Sequence, residues 1–289
     1  MKLTPEFIDP LIEAALKEDI PSGDITSESV IPPESVSRAA FLAKEAGVLA
    51  GIDVARRVFE KLDPRVRFKK FFQDGEAFSP GDILAEVRGP SLSLLKAERT
   101  ALNFLQRMSG IATQTRRFVD AVAGTRTRIL DTRKTTPTLR RLEKYAVRMG
   151  GGKNHRFSLS DMVLLKDNHL RIVGSIGEAV ERAREKAKPG TEIEVEVTTS
   201  AEAREAYAAG ASMIMLDNMP LPKIKAVVRA LAGKIPLEVS GKVSLRRARR
   251  IASLGVDFIS VGSLTHSFRS VDISLEFMSP KKGKSQDEP

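Results

Sequence analysis

The sequence predicts an α/β protein in two parts: a mixed α+β N-terminal third, then a parallel α/β portion in which strands and helices alternate. Three observations carry this expectation. Six short apolar runs, RILDT, MVLLKD, EIEVEV, MIMLDN, PLEVSG and FISVGS, lie near positions 130, 164, 195, 215, 238 and 260, and each but the last is followed by an amphipathic helical pattern. Ahead of them, glycines at 75, 81 and 89 punctuate shorter strands. Between the two parts runs a long helical stretch, Ser91 to Ala123, read as the bridge. At 289 residues and 42% hydrophobic, the chain can bury one large core or two ordinary ones.

Thr4 and Pro5 have the chemistry of an N-cap and a first helical residue, and Phe7, Ile8, Leu11, Ile12, Ala15 and Leu16 follow with helical spacing until Ile20-Pro21. PSGDITSESVIPP reads as a loop. Ser37 to Leu49 reads as two short strands around Lys44-Glu45, Asp53 to Leu62 as a helix capped by Asp53, and Arg65 to Phe72 as a strand. DGEAFSPGDILAEVRGP has the turn spacing of a biotinyl or lipoyl carrier, but no lysine falls between Lys70 and Lys96, so a structural sandwich is the better reading. A break is expected in the long helix near Ser109-Gly110. Past it, Leu139, Leu142, Tyr145, Ala146 and Met149 mark one face of a helix that also carries Arg140, Arg141, Lys144 and Arg148, some of them solvated. The final SPKKGKSQDEP reads as a polar tail.

Composition excludes several functions. A bilayer span needs about 18 uncharged apolar residues in a row, and none occurs. The opening MKLTPEFIDP has Glu6 and Asp9 where a signal peptide needs an apolar stretch. A soluble, cytoplasmic protein with no membrane partner is expected. Without cysteine there is no disulfide framework, thiolate catalysis or sulfur-ligated zinc. The net charge of +10 and a pI near 9.8 point to an anionic partner. Nucleic-acid surfaces interleave aromatics for stacking, whereas this chain is 5% aromatic with no Trp and two Tyr. A small polyanion therefore fits better than a nucleic acid.

In α/β barrels the active site lies at the C-terminal ends of the strands. The six ends here supply Asp131, Arg133 and Lys134; Lys166, Asp167 and Asn168; Glu196; Asp217 and Asn218; Ser240-Gly241; and Gly262-Ser263. Six apolar strands ending in charged or small residues point to one shared site. Ser240-Gly241 and Gly262-Ser263 offer backbone N–H groups of the kind that hold phosphate. Arg133, His155, Arg156 and Lys166 supply cations for carboxylates. Glu196 and Asp217 suit Mg²⁺, or else form ion pairs with Lys166 or Lys134.

The segments DTRKTTPTLRRLEKYAVRMGGGKNHR, LLKDNHL, IEVEV, MLDNM and ISVGSLTHS, with EDIPSGDIT and ERTALNFLQRMSGIAT before them, resemble the quinolinate phosphoribosyltransferases over nearly the whole chain. The resemblance implies an N-terminal α/β sandwich (residues 1–108, joined by 267–289) followed by an incomplete, roughly six-stranded parallel α/β barrel (109–266). It implies transfer of phosphoribose from phosphoribosyl pyrophosphate (PRPP) to quinolinate with decarboxylation, in a homodimer. By position, Arg133, His155, Arg156 and Lys166 would bind quinolinate, with Arg99 arriving from the neighbouring subunit. Lys134, Ser240, Gly241, Gly262 and His266 would bind PRPP, and Glu196 and Asp217 its Mg²⁺. A paralogue that uses nicotinate or another ligand is the nearest alternative. Between Glu194 and Glu196, which alternation puts on one strand face, Glu196 is chosen because it lies nearer the strand end. Three positions depart from the family: Thr138 in place of Gly, Met149 in place of Cys, and Lys242 in place of Gly or Asn.

Overall fold

A computed structural model describes residues 2–278; the SPKKGKSQDEP tail lies outside the described residues. The chain divides into two units. One takes the chain up to Gly110 and resumes at Ser270; the other is Ile111–Arg269.

The first unit begins with α1 (Pro5–Asp19), where Thr4 takes the N-cap position without a side-chain capping bond. PSGDITSESVIPP is not all loop: it contains α2 (Ile25–Val30), started by the Asp24 carboxylate, which accepts the Ser27 N–H at 3.0 Å. Only Ser27 of that helix is buried, so no apolar period announced it. Next come β1 (Val36–Ala43), β2 (Gly47–Val48), α3 (Ile52–Leu62), β3 (Arg67–Lys70), β4 (Ala77–Phe78) and β5 (Ile83–Pro90).

The cap of α3 is Gly51, at φ 93°, rather than Asp53. The orphan N–H groups at that helix start are taken by a distant residue, Asp74, whose two oxygens accept from Gly51 (2.9 Å) and Ile52 (3.1 Å). Asp53, one turn-position later, pairs with Lys70 instead. With β12 (Ile273–Phe277), strands β1, β5 and β3 form an antiparallel sheet in the order β12-β1-β5-β3. Phe59 of α3 packs on Phe41 and Phe68 of this sheet, with ring centroids 5.6–6.1 Å apart among the three. Helices laid on an antiparallel sheet make this unit the α/β sandwich.

α4 (Ser91–Ala121) runs without the break expected at Ser109-Gly110. Ser109 is wholly buried, and its hydroxyl accepts from the Ala50 N–H (3.1 Å) and donates to the Ala50 carbonyl (3.3 Å). The small Ser109 side chain thus meets the Ala50 backbone, and the helix continues past it.

In the second unit the six predicted strands are all present: β6 (Arg128–Leu130), β7 (Val163–Leu165), β8 (Ile193–Val197), β9 (Met213–Asp217), β10 (Leu237–Ser240) and β11 (Phe258–Ser260). They form one parallel sheet ordered β6-β11-β10-β9-β8-β7, which is an incomplete α/β barrel. The connecting helices are α5 (Arg140–Met149), α6 (Asp167–Val173), α7 (Ile176–Lys186), α8 (Ser200–Ala208), α9 (Leu221–Leu231) and α10 (Leu245–Ala252), with a single turn, α11 (Ser263–His266), after the last strand. Beside β6, on its free edge, an extended segment adds one parallel bridge, Leu130 to Lys153. No described helix is long and apolar enough to cross a membrane.

The GGG run that ends α5 is set by packing. A Cβ on Gly150 would sit 2.6 Å from Cβ of Thr115 on α4 and 3.1 Å from the Ala112 carbonyl carbon, although its φ of −72° is ordinary. Gly150→Ala is therefore expected to destabilise the protein by about 1–3 kcal/mol through overpacking, read as a lower denaturation midpoint. Gly177→Ala, with open space around its Cβ, serves as the control.

Candidate active site

The site rests on a polar node at the end of β6. Asp131, read as one of the strand-end site residues, is wholly buried, and its partner is Lys144 of α5, itself fully buried. A helix that reads as mostly cationic thus turns one cation inward. The Asp131 carboxylate also accepts from Asn154 Nδ2 (2.5 Å) and the His155 N–H (2.9 Å), while Lys144 donates to the His155 carbonyl (2.9 Å). Burial pushes the Asp131 carboxyl up and the Lys144 ammonium down, and each charge opposes the shift of the other. A buried pair of this kind holds only if its remaining hydrogen-bonding capacity is met, as it is here. The result fixes the backbone of residues 154–156 against β6.

Above this node opens a cavity of about 830 Å³ at the C-terminal ends of the strands. It is lined by Arg133 and Lys134 after β6, His155 and Arg156 on the bridging segment, Lys166 after β7, Glu196 of β8 and Asp217 of β9. Ser240, Gly241 and Lys242 after β10, and Gly262, Ser263 and His266 after β11, complete the wall. Every expected site residue except Arg99 lines this one cavity; Arg99 is exposed on α4 in the first unit. Asp167 and Asn168, also read as strand-end candidates, begin α6 and are not among the residues that line the cavity.

The cations are arranged in two groups. Arg133 has a buried Nε without a hydrogen-bond partner, and Arg156 donates from Nη1 to the Met162 carbonyl (3.2 Å). Burial first, then the Arg133 charge, push the Arg156 guanidinium down, the strain of gathering like charges before an anion arrives. Lys166 is ion-paired with Glu196, one of the two alternatives the sequence left open for that carboxylate. On the other side, the exposed Lys134 is held by its backbone: its N–H donates to Thr132 Oγ1 (3.0 Å), and its carbonyl accepts from the buried Thr265 hydroxyl (2.8 Å). His266 bonds through Nδ1 to Ser267 Oγ (2.6 Å), and a Cβ on Gly262 would lie 3.2 Å from both the His266 ring and Lys134 Cδ.

Gly241 is required twice over. Its φ is 97°, and a Cβ there would come within 2.5 Å of Asn218 Cγ. Asn218 is itself left-handed, at φ 52°; its N–H donates to the Ser240 carbonyl (3.0 Å) and its Nδ2 donates to Asp217 Oδ2 (2.6 Å). Glu196 and Asp217 are the two carboxylates in the cavity lining, on neighbouring strands, and two hard oxygen donors with open space before them suit a hard divalent cation.

Two further acids were not singled out as functional. Glu194 and Glu238 are fully buried below the cavity, beside His155, and burial pushes each carboxyl up to about 8. Their signal was alternation: Glu194 lies two residues before Glu196 and Glu238 two before Ser240, so both share the inward face.

The comparisons with known proteins agree along the chain. The family profile described as the C-terminal domain of quinolinate phosphoribosyl transferase matches residues 111–276, and that of its N-terminal domain matches 24–109. The chain is 44% identical over 259 residues to a probable nicotinate-nucleotide pyrophosphorylase (carboxylating) of Bacillus subtilis, covering 90% of this chain and 89% of that one. It is 41% identical over 285 residues to a mitochondrial quinolinate phosphoribosyltransferase (decarboxylating) of Nicotiana tabacum, covering 92% and 81%. Among solved structures it superposes on NadC from Streptococcus pyogenes with a TM-score of 0.93 at 45% identity, over 96% of this chain and all (100%) of that one.

Lys144→Met keeps the bulk of the side chain but strands Asp131 in the core. It is expected to cost about 3–5 kcal/mol of stability, measured by denaturant unfolding, and a loss below about 1 kcal/mol would contradict the role given to the pair.

Proposed function

Because the chain belongs to the quinolinate phosphoribosyltransferase family, we propose that its cavity transfers the phosphoribosyl group of PRPP to the ring nitrogen of quinolinate, releasing pyrophosphate and CO₂ and forming nicotinate mononucleotide. The observation that carries this reading is that one cavity gathers a carboxylate-binding group, Arg133, Arg156 and Lys166, and a phosphate-binding wall, Lys134 with the Ser240–Lys242 and Gly262–Ser263 loops. Three cations around a buried, unpartnered guanidinium Nε suit the two carboxylates of quinolinate better than the single one of nicotinate.

In the reaction the C1′–oxygen bond to pyrophosphate breaks as the pyridine nitrogen forms its bond to C1′. The transition state is a stretched, oxocarbenium-like ribosyl cation. The work of the protein is then alignment and charge stabilisation. Lys134, held by hydrogen bonds at both its N–H and its carbonyl, meets the negative charge growing on pyrophosphate. Glu196 and Asp217 would hold Mg²⁺, which when bound neutralises the diphosphate oxygens. Once the ring nitrogen is alkylated, the positive ring accepts the electron pair left when the neighbouring carboxylate departs as CO₂, and a proton then adds at that carbon. No side chain need act as a base for the carboxylate to leave.

We further infer a homodimer in which the exposed Arg99 of one copy serves the cavity of the other, adding a cation to the carboxylate side. The direct experiment is the purified protein with quinolinate, PRPP and Mg²⁺. Pyrophosphate and CO₂ are expected in equal amounts, with little turnover on nicotinate; no release with quinolinate would overturn the reading. Lys134→Ala is expected to lower turnover by about a hundredfold or more. Mixing Arg99→Ala chains with Arg133→Ala chains should restore part of the activity once subunits exchange, because mixed dimers regain one intact site.

A further inference from the structure

His155 lines the cavity, yet neither of its ring nitrogens is free. Nδ1 is 2.7 Å from the backbone N–H of Arg156, which can only donate, so Nδ1 carries a lone pair. The ring proton is therefore on Nε2, 3.0 Å from Glu194 Oε2 and 3.7 Å from Glu238 Oε2. The peptide groups on either side are committed as well, the N–H to Asp131 and the carbonyl to Lys144. Only the ring carbons of His155 remain to meet a ligand.

We propose that Glu194 is a positioning residue for quinolinate: by accepting the Nε2 proton of His155 it turns Nδ1 onto the Arg156 N–H, and so fixes the chain that presents the Arg156 guanidinium to the cavity. The chain of contacts is Glu194 to His155 to Arg156, and Glu238 Oε2 lies 3.7 Å from the same Nε2. Burial pushes the His155 imidazole pKa down, which suits a strut more than a charged contact. His155, Glu194 and Glu238 also surround a space of the size a metal would need. The Nε2 proton points into that space, so a hydrogen bond fills it and a cation does not. Nothing in this arrangement asks Glu194 to touch substrate. It rests on the reading of the cavity as a quinolinate site.

Two measurements on the full chain test it. The first is a long-range ¹⁵N–¹H spectrum of the wild-type protein, which has three histidines, with the His155 signals assigned by their loss in His155→Gln. A lone pair on Nδ1 and a proton on Nε2 are expected; a proton on Nδ1 overturns the inference. The second is steady-state kinetics of Glu194→Leu and Glu194→Gln. Leucine is expected to raise KM for quinolinate about tenfold, near 1.4 kcal/mol, with KM for PRPP unchanged. Glutamine, whose carbonyl still accepts from Nε2, is expected to restore most of that loss. A purely structural Glu194 would lower kcat through the folded fraction and leave both KM values alone, and that result also overturns the inference. If the wild-type protein neither binds nor converts quinolinate, the reading of the cavity fails and the inference falls with it; if it converts quinolinate and only the Glu194 results fail, that reading stands.

Discussion

The buried pair of Asp131 and Lys144 is the constraint on which the pocket depends. Two charges removed from water are stabilising only when their geometry is good and their other hydrogen bonds are met. Here each bond made to satisfy them falls on the segment that carries Asn154, His155 and Arg156. Charge burial thus does the work that a seventh strand would otherwise do at this edge of the sheet. The segment makes a single bridge to β6, too little pairing to hold a pocket wall by itself. With the ion pair beneath it, the wall gains three further hydrogen bonds that tie it to β6 and α5.

The strands of the barrel were legible because each is a short, mostly apolar run with a polar or small residue at its C-terminal end, and those ends line the cavity. Sequence alone located the Arg133, Lys134, Lys166, Glu196 and Asp217 group for this reason. What it could not supply is the partner of a charge. Lys144 and Arg148 are equivalent on a helical wheel of cations, and only the placement of Asp131 decides which goes inside. The cap of α3 was misread for a similar cause: Asp53 is the local candidate, but Asp74, more than twenty residues on, takes the N–H groups. Glu194 and Glu238 were readable as inward-facing, yet their engagement with His155 depends on a third segment brought in by tertiary structure.

The departures from the family pattern acquire a physical meaning in the backbone. Thr138 and Lys242, two of the positions read as departures from the resemblance, have φ values of 67° and 47°. Both keep the left-handed conformation that glycine favours, at about 1–2 kcal/mol each for a residue with a Cβ. At Lys242 the strained backbone lies on the wall of the cavity and adds a cation there. Nothing in the structure explains Thr138, which is exposed and β-branched.

The contact between Asn218 and Gly241 has an evolutionary consequence. The Asn218 amide occupies the volume into which any side chain at 241 would grow. Gly241 therefore cannot change alone: any side chain there requires a shorter residue at 218, and that change gives up the hydrogen bond to Asp217. The two loops are bound into one unit of inheritance. A side chain at 241 is thus reached only through paired substitutions at 218 and 241.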